Sequence, residues 1–295
     1  VSALARGRTG IWVGLLNGVA RIDDTGLHRY DIEEAAPGAY PGTRTMDILT
    51  DAEGGTWFAL FDGGVARLPP HWHNFAAFRH IPGDSASLTR ARVQALGVDG
   101  AHAVWAVSGS DGLDRIDRIS GAIERWGGRL KISGQRLTAV LPDAGRHIWV
   151  GSQVGLRRYS LDTLDALEMP SDLTRADALP PGFVDNLARA PDGSIWASAH
   201  GGGVAHIGGE PPRVLQRYLP ATQTLGDADV AVLALDASAT PWLGTASGVE
   251  RYDAQRDRFI DVAGLPHEPV HALGFAPDGA LWLHRLGALE RYRVD

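Results

Sequence analysis

The sequence predicts an all-β fold, a seven-bladed β-propeller running as a single domain over residues 1–295, with four-stranded antiparallel blades and a last blade that lacks its outer strand. Three observations carry this reading. Seven of the nine tryptophans, Trp12, Trp57, Trp105, Trp149, Trp196, Trp242 and Trp282, recur at intervals of 45, 48, 44, 47, 46 and 40 residues, the mark of a repeat architecture. Five to seven residues after each comes a small step: Gly18-Val19, Gly64-Val65, Gly112-Leu113, Gly155-Leu156, Gly203-Val204, Gly248-Val249, and finally Gly287 ahead of Ala288-Leu289. Between these markers apolar residues alternate with period two in short runs bounded by Gly, Asp and Pro, which argues strands and tight turns rather than helix.

Each unit reads in the same order. An apolar VxxL run, strand A, covers 1–4, 46–49, 93–96, 137–140, 184–187, 230–233 and 270–273. A turn follows, clearest at Ala190-Pro191-Asp192-Gly193 and Ala276-Pro277-Asp278-Gly279, where Pro presets φ, Asp bonds its own backbone and Gly accepts positive φ. Strand B carries the Trp. Strand C follows the Gly step, as in Leu-Arg-Arg-Tyr at 156–159, and a fourth run such as Arg258-Phe259-Ile260 makes strand D. One such sheet has two faces and cannot bury its Trp alone, so stacked blades supply the core. After Trp282 only 13 residues remain, room for strand C but not D, so the missing strand is expected from residues upstream of Val1.

Composition narrows the function. At 44% hydrophobic and 21% charged the chain is globular in type, and 28 basic against 35 acidic residues give a net charge of -7, no footprint for nucleic acid. The absence of cysteine removes disulfides, thiolate metal sites and cysteine nucleophiles. Lys131 is the sole lysine beside 27 arginines, a composition that points to a GC-rich bacterial gene. The Val-Ser-Ala-Leu start, with neither signal peptide nor transmembrane run, reads as a piece of a longer protein.

The units VHALGFAPDGALWLHRLGALERY and LTAVLPDAGRHIWVGSQVGLRRYSLDT, with the connector from His80 to Val93, resemble the two-component regulator propeller repeat family over essentially the whole chain. The W-V/I/L-G core of strand B is kept at Trp12, Trp149 and Trp242 and lost elsewhere. The resemblance implies the periplasmic sensing part of a membrane-anchored protein, followed by an immunoglobulin-like domain, a membrane helix and a histidine kinase or diguanylate cyclase output. It also implies a membrane-anchored dimer partner and a carbohydrate ligand, while the mixture of Arg, Asp and His in the chain's loops, with few aromatics, favours a small polar ligand or an anionic metabolite.

Several motifs invite chemistry. His267-Glu268-Pro269-Val270-His271 spells HExxH, but zincin chemistry needs both histidines on one helix face. Here Val270 opens a strand A, and extended chain would set the two about 13 Å apart, so the pair reads as one loop and one strand histidine. His71-Trp72-His73 with His80 could grip a metal, against a solvated connector as the plainer reading. The run Gly201-Gly202-Gly203 reads as a strand connection rather than a phosphate cradle. Trp72 and Trp126 fall near the outer strands, where blade packing or docking is expected. The second position of strand A is polar in six of seven units, Ser2, Asp47, Gln94, Thr138, Asp185 and His271 against Ala231, and is read as tying adjacent blades or lining a wet channel.

Loops entering strand A and joining B to C form the rim where a propeller recruits ligands. The candidate binding residues are Arg44, Asp62, Arg90, Arg92, Asp111, Arg136, Gln153, His200, Asp229, His267 and Arg285 on that rim, with Phe183 beside them, and Asp185 and His271 in strand A. No catalytic residue, metal or cofactor is assigned. The expected function is a non-enzymatic, periplasmic ligand-sensing domain. The alternatives are a docking propeller without small ligand and a lyase similar to the virginiamycin B lyase propeller.

Overall fold

The computed structural model describes residues 1–8, 10–30, 40, 41, 44–70, 76–100, 102–143, 146–172 and 174–294. Their regular elements are 27 strands and one short 3-10 turn, Pro220–Thr222. The strands form seven sheets, each a meander in chain order with antiparallel neighbours wherever the register is described. Blade 1 is Ala3–Arg6, Gly10–Gly14, Val19–Asp23 and Gly26–Tyr30; blade 2 is Thr45–Thr50, Thr56–Leu60, Gly64–Leu68 and Ala76–Phe78. Blade 3 is Val93–Asp99, Ala103–Ser108, Gly112–Asp117 and Ile123–Arg125; blade 4 is Leu137–Asp143, His147–Ser152, Gly155–Ser160 and Ala166–Pro170. Blade 5 is Val184–Arg189, Ile195–Ala199, Gly203–Gly208 and Arg213–Tyr218; blade 6 is Val230–Leu235, Pro241–Thr245, Gly248–Asp253 and Arg258–Asp261. Blade 7 has three strands, Val270–Phe275, Leu281–Arg285 and Ala288–Tyr292, as the shortened last repeat requires. This is the seven-bladed β-propeller of the sequence.

The chain groups into two compact units, Val1–Val150 with Arg158–Ala166, and Gly151–Arg157 with Leu167–Asp295. In each, the core is a series of layers between successive blades, in which a Trp packs on the next blade's strands A and B. In the first unit Trp12 meets Ile48 and Phe58, Trp57 meets Val93 and Val104, and Trp105 meets Leu137 and Ile148. In the second, Trp196 meets Val230 and Leu243, and Trp242 meets Val270 and Leu283. Trp57 and Trp105 are fully buried, so each removes on the order of 200 Å² from water and anchors its layer.

A buried indole N–H must find an acceptor, and four blades place an aspartate six residues ahead of the Trp to supply it. Trp57 donates to Asp51 (2.8 Å), Trp105 to Asp99 (3.2 Å), Trp149 to Asp143 (3.2 Å) and Trp242 to Asp236 (2.9 Å). The residue facing Trp across strand C is arginine in blades 1, 2, 3, 6 and 7: Arg21, Arg67, Arg115, Arg251 and Arg291. In blade 4 the guanidinium of Arg158 lies 5.8 Å from the Trp149 ring and 3.1 Å from Asp143. Aspartate, tryptophan and arginine thus form a clasp at the A–B turn end of the sheet. Blade 5 departs from it at both polar places, with Ala190 six residues ahead of Trp196 and His206 across from it.

In blades 2, 3, 5, 6 and 7 strand A carries a β-bulge one residue in from its start. The register skips Met46 in blade 2, Gln94 in blade 3, Asp185 in blade 5, Ala231 in blade 6 and His271 in blade 7. The extra residue is unpaired on strand B and its side chain is re-aimed. This corrects the aligned set of strand A positions in blade 2: the equivalent of Gln94 and His271 is Met46, and Asp47 stands one residue further on. The VxxL reading missed it because blade 2 opens on Thr45, a polar first residue.

Candidate functional site

The meander sets B–C turns and D-to-A connectors at one end of every sheet, and A–B and C–D turns at the other. At the first end of the first unit, Arg90 forks onto Asp111, Nε to Oδ1 at 3.2 Å and an NH2 to Oδ2 at 3.4 Å. Arg92 is exposed and stacks its guanidinium 3.8 Å from the Phe61 ring centre. Phe61 donates its backbone N–H to the Arg44 carbonyl at 2.9 Å, which ties the turn carrying the Arg92 platform to the start of blade 2; Arg44 itself is exposed. Asp62 and Arg136 are exposed in neighbouring loops.

In the second unit His200 Nδ1 lies 3.4 Å from Asp229, and Gln153, Phe183 and His267 are exposed on loops. Arg285 is gripped by both oxygens of Glu290, at 3.0 and 2.6 Å, and by Glu268 at 2.5 Å. That double engagement raises its already high pKa further and ties it to its own blade. His267 precedes strand Val270–Phe275 and His271 lies within it, so the HExxH histidines sit on a loop and a strand. The His271 ring centre is 5.8 Å from that of His284, whose pKa is pushed down to about 4, chiefly by burial. The Gly201 run is the B–C turn of blade 5. His71, Trp72 and His73 lie outside the described residues, while His80 Nδ1 is 2.7 Å from the Leu88 carbonyl and Trp126 packs on Trp105.

Strand A polar residues do tie blades together. Ser2 donates to the Thr45 carbonyl, and Asn186 reaches the Ala231 carbonyl at 3.5 Å. Asp47 accepts the Leu96 N–H of blade 3 at 2.8 Å as well as its neighbour's, Ile48, at 2.8 Å. Although the residue as a whole is half-buried, its carboxylate is enclosed, and burial pushes its pKa up to about 6 against the pull of those two N–H groups.

At the opposite end, sequence reasoning missed a concavity. Between blades 5 and 6 lies a groove of about 610 Å³, walled by Asp192, Ser194 and His206 on one side and by Thr240, Arg251, Tyr252, Asp253 and Gln255 on the other. It opens where blade 5 lacks its clasp. His206 lies flat on Trp196, ring centres 4.3 Å apart and planes within 9°. The Ser194 hydroxyl donates to Asp192 Oδ1 at 2.6 Å, so the His206 Nε2, 2.9 Å from Ser194 Oγ, is the donor to that hydroxyl. Burial lowers the His206 pKa, which keeps the ring neutral and leaves Nδ1 as an acceptor. The signal for this site was present in the repeat: a histidine where the other units have arginine.

The molecule is thus a seven-bladed β-propeller whose B–C loops carry polar residues, with a groove at the other end of blades 5 and 6. The chain matches no protein-family model and no curated protein sequence. Among solved structures it is similar to the extracellular domain of a candidate hybrid two-component system from B. thetaiotaomicron (TM-score 0.78, 15% identity), covering 98% of this chain and 39% of that one. It is also similar to a streptogramin B lyase (TM-score 0.69, 15% identity, 99% of this chain and 93% of that one). A chain of the mitotic checkpoint complex gives a TM-score of 0.74 at 14% identity, over 100% and 89% of the two chains. At such identities the likeness is one of fold, and the chain spans about two-fifths of its two-component neighbour.

Proposed function

We propose that this chain is the non-enzymatic, ligand-sensing propeller of a bacterial signal-transduction protein, exposed to the periplasm and followed by a membrane-anchored kinase or diguanylate cyclase output. Its partners in this reading are a small polar ligand, a downstream immunoglobulin-like domain and a membrane-anchored dimer mate. The observation that carries it is the exposed Arg92 guanidinium stacked on the Phe61 ring, whose backbone is held in turn by the Arg44 carbonyl. Such a group favours a small anionic or sugar-acid ligand, since arginine recognises carboxylates through paired N–H donors. The fold shared with an extracellular two-component domain supports the sensing role. The remaining loop residues, Asp62, Asp111, Arg136, Gln153, His200, Asp229 and His267, surround the same ends of their sheets as candidate contacts.

The test is a thermal-shift screen against organic acids, sugar acids, neutral sugars, amino acids and divalent metals, since a ligand bound by the native state raises stability by RT ln(1 + [L]/Kd). A shift with an organic or sugar acid that Arg92→Ala removes is expected. A shift that survives this substitution places the ligand elsewhere. The lyase neighbour favours one second reading, a lyase on this fold, and product analysis of any hit distinguishes it.

A further inference from the structure

We propose that the groove between blades 5 and 6 binds a guanidinium group, free arginine or an arginine side chain of a peptide, in the seat that the chain's own arginines fill in the other blades. This goes beyond the sensing role and stands on different residues, at the opposite end of the sheets.

The repeat supplies its own comparison. Blades 5 and 7 share the turn Ala-Pro-Asp-Gly ahead of the Trp, so Asp192 is the counterpart of Asp278 and Trp196 of Trp282. In blade 7, Arg291 reaches from strand C across Trp282 to Asp278 at 2.5 Å. In blade 5 the same strand position is His206, too short to do so, and it reaches Asp192 only through Ser194. The blade keeps the tryptophan and the turn carboxylate but has histidine in place of arginine at this strand C position, and that is where the groove lies.

What lines it suits a planar cation. A guanidinium is flat, weakly hydrated and rich in in-plane N–H donors, so it wants a carboxylate, an aromatic face and in-plane acceptors. Asp192 supplies the carboxylate and the imidazole of His206 both a face and the Nδ1 acceptor. Tyr252, on the facing wall, donates to Asp257 at 2.8 Å, which adds negative charge behind its ring. The cations nearby are engaged: Arg251 sits 5.4 Å from the Trp242 ring centre, and Arg256 pairs with Asp253 at 2.6 Å.

The experiment is calorimetric titration of the chain with L-arginine, with a blocked Gly-Arg-Gly peptide, and with L-citrulline, the neutral isostere. Saturable heat with either arginine probe and at least roughly tenfold weaker binding of citrulline is expected. Tighter binding of the free amino acid points to a metabolite, and of the peptide to a protein partner. His206→Arg should weaken both arginine probes at least roughly tenfold while the chain keeps its melting temperature, since five described blades already pair that residue with Trp. Asp192→Asn should weaken binding in the same direction, and Arg92→Ala should leave it unchanged. Citrulline binding as well as arginine, no saturable heat, or full binding by both groove variants would overturn the proposal.

Discussion

Asp47 shows how one enclosed carboxylate joins two blades. Two backbone N–H groups hold it, yet burial outweighs them and lifts its pKa to about 6, above the unfolded value near 4. A group whose folded pKa is raised contributes stability that is fully present below the unfolded value and is lost as pH rises through the folded one. The melting temperature of the native chain relative to Asp47→Asn is therefore expected to climb as pH is lowered from 8 to 4, and a flat difference would contradict the assignment. Asp51 is a different case, a fully buried carboxylate that accepts the Trp57, Gly55 and Glu53 N–H groups and meets the buried Arg118 at 3.0 Å. Removing one partner leaves the other charged and desolvated, so Asp51→Ala should cost about 3 to 5 kcal/mol in urea unfolding. A cost near zero would mean that Glu53, the second acid on Arg118, carries that cation alone.

At the scale of the element, the clasp lets a strand bury a whole indole without orphaning its N–H. It also explains why the tryptophan recurs so regularly: the ring fills the layer between blades while Asp and Arg close its polar edge. Blade 5 is the natural experiment, having the ring without the clasp. Ala190→Asp together with His206→Arg should restore it, raising stability by about 1 kcal/mol, a few degrees or less for a chain of this length. The same pair fills the groove with protein atoms, so a melting temperature that falls would mean the two side chains do not reach one another. The strand A bulges act at this scale as well. They put Gln94, Asp185 and His271 out of register with strand B, which frees those side chains from the sheet's alternation.

For the whole molecule, charge sets what can approach. With a net charge of -7 and a pI near 5.9, no long-range attraction draws polyanions, although 27 arginines are present, because most described ones sit beside carboxylates or aromatic rings. The chain is expected to leave a DNA duplex unshifted in a gel at physiological salt, and a salt-sensitive shift would show an unbalanced basic face. Local cations such as Arg92 can then act on small anions at short range without making the molecule sticky as a whole.

Spacing alone determined the blade count, the strand order and the three-stranded last blade, because a period of 40 to 48 residues with a tryptophan in each unit has few other solutions. Period-two alternation likewise placed His271 on a strand and so separated it from any helical zinc motif. The bulge could not be read, since an extra residue in strand A is defined by its pairing with strand B; in blade 2 this shifted the assignment from Met46 to Asp47. Which charges are paired was equally hidden: nothing in the spacing joins Arg90 to Asp111 or Arg285 to Glu268 and Glu290, since those contacts bridge 17 or more residues or turn on side-chain direction. The groove falls between the two cases. Its cause, Ala190 and His206 in place of Asp and Arg, is written in the repeat, but its volume exists only because blade 6 stands against blade 5, and a cavity is a property of packed neighbours rather than of any one strand.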